Sequence, residues 1–308
     1  MIQVRAPGMF TTVQDLGRPG YGPLGVSPSG AADPIAMRIG NRLVGNAPGA
    51  AVLEMTLLGG TFVFEAESLV ALAGSDFGAT LDGEPVDLWH TCPVRAGQTL
   101  KAGPTRSGAR CYLCVHGGIL VPLFLGSAST HILSGLGGFE GRALRKGDLL
   151  RIGAIDGAYQ PVGVKLDVPA KFASRKVLRV TASTQWDWFQ KPEVLLAGPY
   201  RVTEESNRMG LRLQGAPLQA IGRGHMITEG VALGAIQIPA EGRPIILFVE
   251  QQTTGGYPKV ANIISADLPS VGQLRPRDEI RFELISFAEA RRLICEQEAE
   301  LLHIIGGI

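Results

Sequence analysis

Residues 61–73 read TFVFEAESLVALA, two short runs of period two on either side of a polar break. This period is typical of β-strands, whose successive side chains point to opposite faces of a sheet. An Asp82-Gly83 pair soon follows and predicts a tight hairpin. Similar short strand-like runs recur at residues 79–81, 110–115, 148–152, 177–181, 211–213, 236–238, 244–249 and 279–284. The chain is therefore predicted to be mainly β.

Composition supports a folded β protein and argues against two functional classes. The 308 residues are 45% apolar and include 41 glycines and 20 prolines, which suits many short strands joined by turns. A net charge of +1 argues against nucleic-acid and membrane-surface binding, which need an excess of Lys and Arg. No apolar run reaches the roughly 18 residues of a membrane span, and no export signal is visible, so we expect a cytoplasmic protein.

Two helices are expected at opposite ends of the chain. Asp33 is a good N-cap and Pro34 suits a first helical position, which predicts a helix over about residues 34–44. Ser286-Phe287-Ala288-Glu289 forms a capping box and predicts a second helix over about residues 287–305. The apolar stripe of this second helix is expected to consist of Phe287, Ala290, Ile294, Leu301 and Ile305.

The chain is expected to divide into two all-β units. Periodicity fades over residues 153–176, where Gly, Pro, Ala and Asp dominate. We therefore expect domains at residues 1–170 and 171–308, with the first helix in the former and the second in the latter.

Cysteine spacing does not predict a metal site. Cys111 and Cys114 match a Cys-x-x-Cys pattern, but they lie in a strand-like run. Residues three apart on a strand point to opposite faces, so the two thiols cannot share one metal ion. Cys92 and Cys295 are isolated, and the histidines lack ligand spacing. We expect buried reduced thiols and no bound metal.

Polar residues collect in three glycine-rich segments, at residues 11–33, 206–213 and 228–259. In the third segment, amides, hydroxyls, a phenol and an ammonium surround Gly255-Gly256 after an apolar strand. Such a set suits a substrate that is itself an amide. A polar hairpin loop is the alternative interpretation.

Several motifs resemble one protein family over about residues 3–285. The family includes the C-type subunit of 5-oxoprolinase, the KipA regulators and the corresponding carboxylase part of urea amidolyase. In this sequence the motifs are TVQDLGR at 12–18, NRLVGN at 41–46, LEMT at 53–56, SNRMGLRL at 206–213, GAIQIP at 234–239 and TTGGYP at 253–258.

The resemblance implies a cyclophilin-like β-barrel architecture and a role in a complex. It implies a homologous B-type subunit and an A-type subunit as partners, and hydrolase activity that opens 5-oxo-L-proline to L-glutamate with ATP. One alternative is a biotin-dependent carboxyltransferase acting on urea or a similar amide, with carboxybiotin carried by another chain. The other is a non-catalytic KipA-like regulator that binds the B-type subunit.

These alternatives share one set of candidate residues. Glu229, Asp15 and Glu54 are candidates for a base or for orienting the nitrogen, although an acid buried only for an ion pair would look the same. Arg208 and Arg18 are candidates for stabilising an oxyanion or anchoring a carboxylate. The predicted set is catalytic Glu229, Asp15 and Arg208, with substrate binding by Arg18, Glu54, Gln237, Gln252, Thr253, Thr254, Tyr257 and Lys259.

The sequence departs from the family pattern at two cationic positions. Relatives commonly have Gly-Ser-Arg-Ser-Thr where this chain has Ala128, and Asp-Arg-Gln where it has Glu250-Gln251-Gln252. Both departures remove a guanidinium, so the family's substrate is the least transferable part of the resemblance.

Overall fold

Short strands make up most of the structure, as the period-two pattern predicted. The computed structural model describes residues 1–154, 165–166, 168, 172–221 and 226–307. The chain forms two units, one containing Met1–Arg18, Ser29–Ala173 and Leu301–Ile308, the other Pro19–Pro28 and Ser174–Glu300. The boundary expected between residues 170 and 171 lies outside the described residues. Within the described ranges, no helix is both long and apolar enough to cross a bilayer.

The described part of the first unit contains twelve strands, one whole helix and the end of the C-terminal helix. Its elements are β1 (Ile2–Ala6), β2 (Phe10–Gln14), α1 (Pro34–Leu43), β3 (Val52–Thr56), β4 (Thr61–Phe64), β5 (Ser68–Gly74), β6 (Thr80–Leu81), β7 (Glu84–Pro85), β8 (Thr91–Val94), β9 (Thr99–Lys101), β10 (Arg110–Val115), β11 (Ile119–Leu120) and β12 (Leu149–Ile152).

These strands form two sheets that share a core. One sheet has the order β11-β12-β1-β4-β9-β6-β7 and the other has the order β2-β3-β10-β5-β8. Phe62 and Phe64 from the first sheet and Leu53 and Leu113 from the second belong to one buried apolar cluster. Two sheets packed face to face bury their alternate residues in this way. The expected hairpin at Asp82-Gly83 is confirmed, because both residues have positive φ between β6 and β7.

Strand β10 is buried on both faces, which explains its unusually apolar sequence. Cys111 lies in the core between the sheets, whereas Cys114 and Tyr112 face a second cluster beneath α1. The two cysteines are free and point to opposite faces, as their spacing predicted. Burial raises the pKa of both thiols, so both stay protonated at neutral pH.

The caps of both predicted helices are confirmed. The Asp33 carboxylate accepts a hydrogen bond from the Ala36 N–H at 3.0 Å and starts α1. Ser286 Oγ accepts from the Glu289 N–H at 3.1 Å and starts the C-terminal helix. The expected apolar stripe of that helix was wrong at Phe287, which is exposed. The buried members of the stripe are Leu301 and Ile305, near the other end of the helix.

The second unit is a closed barrel with two short helices and most of one long C-terminal helix. Its elements are β13 (Val177–Ala182), α2 (Val194–Ala197), β14 (Tyr200–Val202), β15 (Gly210–Gln214), β16 (Glu229–Gly230), β17 (Ala235–Gln237), β18 (Ile245–Leu247), β19 (Thr254–Gly255), β20 (Lys259–Ile263), α3 (Leu268–Gly272), β21 (Glu279–Leu284) and the first part of α4 (Phe287–Gly306). The rest of α4, from Leu301 onward, belongs to the first unit.

The barrel contains seven of the described strands and leaves two for a separate small sheet. Its order is β13-β20-β17-β18-β15-β14-β21, and a parallel pairing of β13 with β21 closes it. Strands β16 and β19 pair only with each other in the described residues. Leu178, Leu213, Ile236 and Phe282 are buried, as expected for alternate residues that fill a small barrel. The barrel confirms the mainly β architecture that the resemblance implied.

The cap of α1 gives a direct test of how the first unit begins its helix. We expect Asp33→Ala to lower the free energy of unfolding by about 1 kcal/mol, because the Ala36 N–H loses its acceptor. Guanidinium denaturation measures the change. Asp33→Asn keeps a side-chain acceptor and should cost clearly less; equal losses in the two variants would contradict the capping role.

Candidate active site

Three strand ends meet at one end of the second unit's barrel, here called the barrel mouth. They are the C-terminal ends of β13 and β17 and the N-terminal end of β20, which lies between them in the barrel. Gln237 ends β17 directly opposite Lys259, which begins β20. The small β16–β19 sheet brings Glu229 opposite Gly255. Antiparallel pairing thus gathers side chains that are far apart in sequence.

An ion pair between Glu229 and Lys259 forms the charged centre of the barrel mouth. The Lys259 ammonium donates a hydrogen bond to Glu229 Oε1. The lysine side chain is only 12% exposed, whereas the glutamate side chain is 47% exposed. The hydrogen bond from Lys259 is the main cause that lowers the pKa of Glu229, so this carboxylate is ionised at neutral pH.

Gln185 also belongs to this centre, and sequence reasoning missed it. Its Nε2 donates to Glu229 Oε1 at 2.7 Å, and its Oε1 accepts from the Lys259 backbone N–H at 2.7 Å. Gln185 comes directly before a tryptophan-rich turn, and no family motif was recognised there. The pairing of β13 with β20 brings it to the barrel mouth.

Amide groups line the mouth beside the ion pair. Gln252 Nε2 donates to Gln237 Oε1 at 3.2 Å, and Gln237 Nε2 donates to the Tyr257 carbonyl at 3.4 Å. Gln237 is buried, whereas Gln252 and Tyr257 are exposed. Amides in such positions can donate to and accept from a planar N–C=O group.

The two threonines shape the loop that carries these amides. The Thr253 carbonyl accepts a hydrogen bond from the Val231 N–H at 3.1 Å, and Thr254 pairs with Gly230 in the small sheet. The third glycine-rich segment therefore folds back on itself next to the barrel mouth. The structure brings together Glu229, Gln237, Gln252, Thr253, Thr254, Tyr257 and Lys259.

Arg208 lies in the same unit but is held in a buried ion pair. Its Nε donates to Glu250 Oε1 at 2.5 Å, and both side chains are buried. The Glu250 N–H also donates to the Arg208 carbonyl at 2.8 Å. A buried pair with this geometry fixes the start of the Gln251-Gln252 loop. This placement favours a supporting role for Arg208 over direct contact with substrate.

Asp15 lies in the first unit, at the centre of a hydrogen-bond network. Its Oδ1 accepts from the Gly17 N–H and from the hydroxyls of Ser127 and Ser129, at 2.6 to 2.7 Å. Its Oδ2 accepts from the Ala128 N–H at 2.6 Å. The backbone of Ala128 makes this contact, so the departure from arginine at that position leaves it intact. The network joins the motif at 12–18 to the loop at 127–129.

Arg18 contacts the same loop as Asp15. Its guanidinium donates to the carbonyls of Phe124 and Ser129 and to the Ser29 hydroxyl, and it lies over the Phe124 ring. Arg18 is only 2% exposed. A buried arginine needs such acceptors, because an unpaired charge away from water is costly. The motif at 12–18 is thus joined to the loop at 124–129 within the first unit.

Glu54 anchors the entry to α1. Its Oε2 accepts from the Ala32 N–H at 2.8 Å and from the Tyr112 hydroxyl at 2.9 Å. Burial, and then the Glu54 carboxylate, raises the pKa of Tyr112 well above its usual range, so the phenol keeps its proton. The same phenol oxygen accepts from the Asp33 N–H at 2.7 Å. The candidates from the first unit thus form networks of their own.

The barrel mouth offers a cation, an anion and amides, a set suited to a polar planar substrate. In the described part of the chain, no three His, Cys, Asp or Glu side chains gather as metal ligands would.

Comparisons with known proteins agree on one family. The family model described as "Carboxyltransferase domain, subdomain A and B" matches residues 24–284. The chain is 37% identical over 303 residues to the C-type subunit of 5-oxoprolinase from Haemophilus influenzae, covering 98% of this chain and 96% of that protein. It is 38% identical over 301 residues to the corresponding Escherichia coli protein, with 97% and 96% covered.

Larger proteins share the same fold. The crystal structure of the Kluyveromyces lactis urea carboxylase matches 98% of this chain with a TM-score of 0.90 and 31% identity. Urea amidolyase of Saccharomyces cerevisiae is 32% identical over 330 residues. The chain spans 29% of the first of these proteins and 18% of the second.

The Asp15 network predicts a large effect on stability. We expect Asp15→Ala to lower the free energy of unfolding by about 3 kcal/mol, because two buried hydroxyls and two backbone N–H groups lose a charged acceptor. Urea denaturation measures the loss, with the exposed Asp87→Ala as the matched control. A variant as stable as the control would contradict the structural role.

The Glu229–Lys259 pair predicts a change in titration. In Lys259→Gln we expect the pKa of Glu229 to rise toward its usual value of about 4.3, because the ammonium that favours the ionised carboxylate is gone. Carboxyl-carbon NMR of the labelled protein gives the pKa directly. The exposed Lys191→Gln serves as the control, and an unchanged titration of Glu229 in Lys259→Gln would rule the pair out.

Proposed function

The chain belongs to the family of the carboxyltransferase domain, subdomains A and B, and on that premise we propose that it is one subunit of an ATP-dependent 5-oxoprolinase complex. This complex opens the lactam of 5-oxo-L-proline to L-glutamate. Its other members are a homologous B-type subunit and an A-type subunit, and it acts in the cytoplasm. The site contributed by this chain is the barrel mouth around Glu229 and Lys259.

One observation carries the proposal, namely the match to the C-type subunit of 5-oxoprolinase along nearly the whole of both chains. At 37% identity the alignment covers 96% of that protein. The urea amidolyase match covers only 18% of a much larger protein. The first relative is therefore the better guide to the activity of this chain.

The chemistry of 5-oxo-L-proline fits the barrel mouth. The molecule carries a carboxylate next to a planar lactam, so it needs a cation and amide partners. Lys259 has three ammonium protons, and within the described residues its one acceptor is Glu229. Its other protons can bind the carboxylate or the lactam oxygen, while Gln237 and Gln252 hold the planar N–C=O group.

Binding of an anion at Lys259 would change Glu229. While the pair is intact, the lowered pKa makes Glu229 a weak base, and a general base works best with a pKa near the working pH. A substrate carboxylate that draws the ammonium away leaves Glu229 more basic. Glu229 then takes a proton from the attacking water and returns it to the lactam nitrogen as the C–N bond breaks, or it orients that nitrogen. Arg208 keeps its loop in place through Glu250.

The residues of the mouth do not match a triphosphate. The described site offers a single ammonium, and the sequence has no P-loop motif. We therefore place ATP at the level of the complex and assign no step of its chemistry to these residues. Carboxybiotin would fit better, since Lys259 could bind its carboxylate and Gln252 its ureido group. When bound, it would supply a carboxyl group for transfer.

A second candidate function follows from the structural match. The urea carboxylase of Kluyveromyces lactis aligns over 98% of this chain, which favours biotin-dependent carboxyl transfer to urea or a similar amide. Carboxybiotin would have to arrive on another chain. The two functions differ in cofactor, because the first needs ATP without biotin.

Reconstitution separates these functions. The three chains are co-expressed, and ATP-dependent release of glutamate from 5-oxo-L-proline is measured with and without this chain. Glutamate formed only with this chain supports the proposal. An assembled complex that leaves 5-oxo-L-proline intact but carboxylates urea with a biotinylated carrier supports the second candidate. An assembled complex with no turnover of either substrate supports a KipA-like regulator, and failure to assemble refutes the partnership.

In the active complex, two substitutions at the mouth should reduce turnover. We expect Lys259→Gln and Gln252→Ala each to lower kcat/KM at least about tenfold, because each removes a group that contacts the substrate. The exposed Gln219→Ala is the matched control, and co-purification with the partners shows that each variant still folds. Turnover equal to the control in both variants would refute the barrel mouth as the site.

A further inference from the structure

Gln185 is a buried amide whose two ends contact the two charged residues of the barrel mouth. It is only 5% exposed. Its Nε2 donates to the Glu229 carboxylate at 2.7 Å and lies 3.6 Å from Met226 Sδ, and its Oε1 accepts from the Lys259 backbone N–H at 2.7 Å. A single side chain therefore fixes the carboxylate of one residue and the main chain of the other.

The main chain at Lys259 needs such a partner because the sheet is irregular there. Ile236 of β17 pairs with Ala261, but the next residue, Gln237, pairs with Lys259. Val260 is thus an extra residue, and β20 is bulged. A β-bulge disrupts the ladder locally and redirects the neighbouring side chains, and bulges are frequent next to active sites. Gln185 accepts the hydrogen bond of Lys259 at this bulge.

Ser183 also contacts the main chain of Lys259. Its hydroxyl donates to the Lys259 carbonyl, and its Oγ accepts from the Gln185 N–H at 3.0 Å. Ser183 and Gln185 thus hold Lys259 by its carbonyl and its N–H, respectively. Both come from the turn that follows β13. The position of the lysine is therefore set by a segment outside its own strand.

Gln185 does more than provide an acceptor for the backbone N–H at the start of β20. A cap for the bulge would need only the Gln185 oxygen, yet the nitrogen of the same amide is used on Glu229. One planar amide therefore links the Glu229 carboxylate to the Lys259 main chain. Misplacement of a catalytic group by about 1 Å can reduce the rate about a hundredfold.

We infer that Gln185 is a positioning residue of the reaction, which holds the Glu229 carboxylate and the Lys259 main chain in a fixed relation so that the pair meets the substrate correctly. This inference rests on the proposed function of the barrel mouth. Gln185 acts through the two charged residues and has no contact with substrate in this mechanism.

Two substitutions test it in complementary ways. Gln185→Met removes both hydrogen bonds at nearly constant volume. Gln185→Glu keeps an acceptor for the Lys259 N–H but places a carboxylate against Glu229. The exposed Gln190→Met is the matched control on the same segment. The pKa of Glu229 is measured by carboxyl-carbon NMR on the free chain, and kcat and KM are measured in the reconstituted complex beside Glu229→Gln.

We expect the pKa of Glu229 to rise in both variants, more in Gln185→Glu because a like charge faces it. In the wild type, Lys259 is the charged group that contacts Glu229 in the described residues, and both variants retain it. We expect kcat to fall about tenfold or more, with a smaller change in KM, while Gln190→Met behaves as wild type. If Gln185→Met does not fold, Gln185→Glu decides.

Two results would overturn the positioning role. One is an unchanged pKa of Glu229 in the folded variants. The other is wild-type kcat in them while Glu229→Gln is impaired. Wild-type turnover of Glu229→Gln would instead refute the proposed site itself, whatever the pKa measurements show.

Discussion

A lysine whose side chain is largely buried needs a negative partner for its ammonium, and this requirement organises the barrel mouth. Lys259 is 12% exposed and donates to Glu229. An unpaired ammonium in this position would be costly, so the carboxylate, and the small β16–β19 sheet that carries it, is held near the start of β20. The ammonium keeps protons for another acceptor, which makes the same pair suitable for binding an anionic substrate.

Buried charged groups in the first unit also need partners, and their partners differ from those at the barrel mouth. Asp15 and Glu54 are buried acids, and each is surrounded by donors from the protein itself. Four hydrogen bonds converge on Asp15, so its oxygens serve to join loops. Glu229 is half exposed and has two donors in the described residues. The contrast separates acids that maintain the fold from the acid that we assign to chemistry.

Much of the fold was predictable from local patterns. The period-two pattern of apolar residues predicted the strands, and the Asp82-Gly83 pair predicted a hairpin. Asp33 and Ser286 predicted the helix starts. Each of these signals depends on a few neighbouring residues, so it can be seen in the sequence. The exposure of Phe287 could not be predicted, since helical spacing does not tell which turns of a long helix are covered. The closed barrel came from the family resemblance, because the pairing of β13 with β21 is not encoded in either strand alone.

The candidate site was predictable in part. The motif at 253–258 and the nearby Gln252 and Lys259 share one segment, and polar composition was enough to select it. Gln185 could not be found, because it is 44 residues from Glu229 and 74 from Lys259 along the chain and carries no motif. The roles of Asp15 and Arg208 also required coordinates, since a sequence does not show whether an acid or a guanidinium is already paired.

The most direct test of the barrel mouth as the substrate site is a crystal structure of the assembled complex with 5-oxo-L-proline bound. We predict the substrate carboxylate or lactam oxygen within about 3 Å of Lys259 Nζ, the planar group against Gln252, and the Glu229–Lys259 pair opened. Substrate bound elsewhere, with the pair still closed, would contradict this assignment.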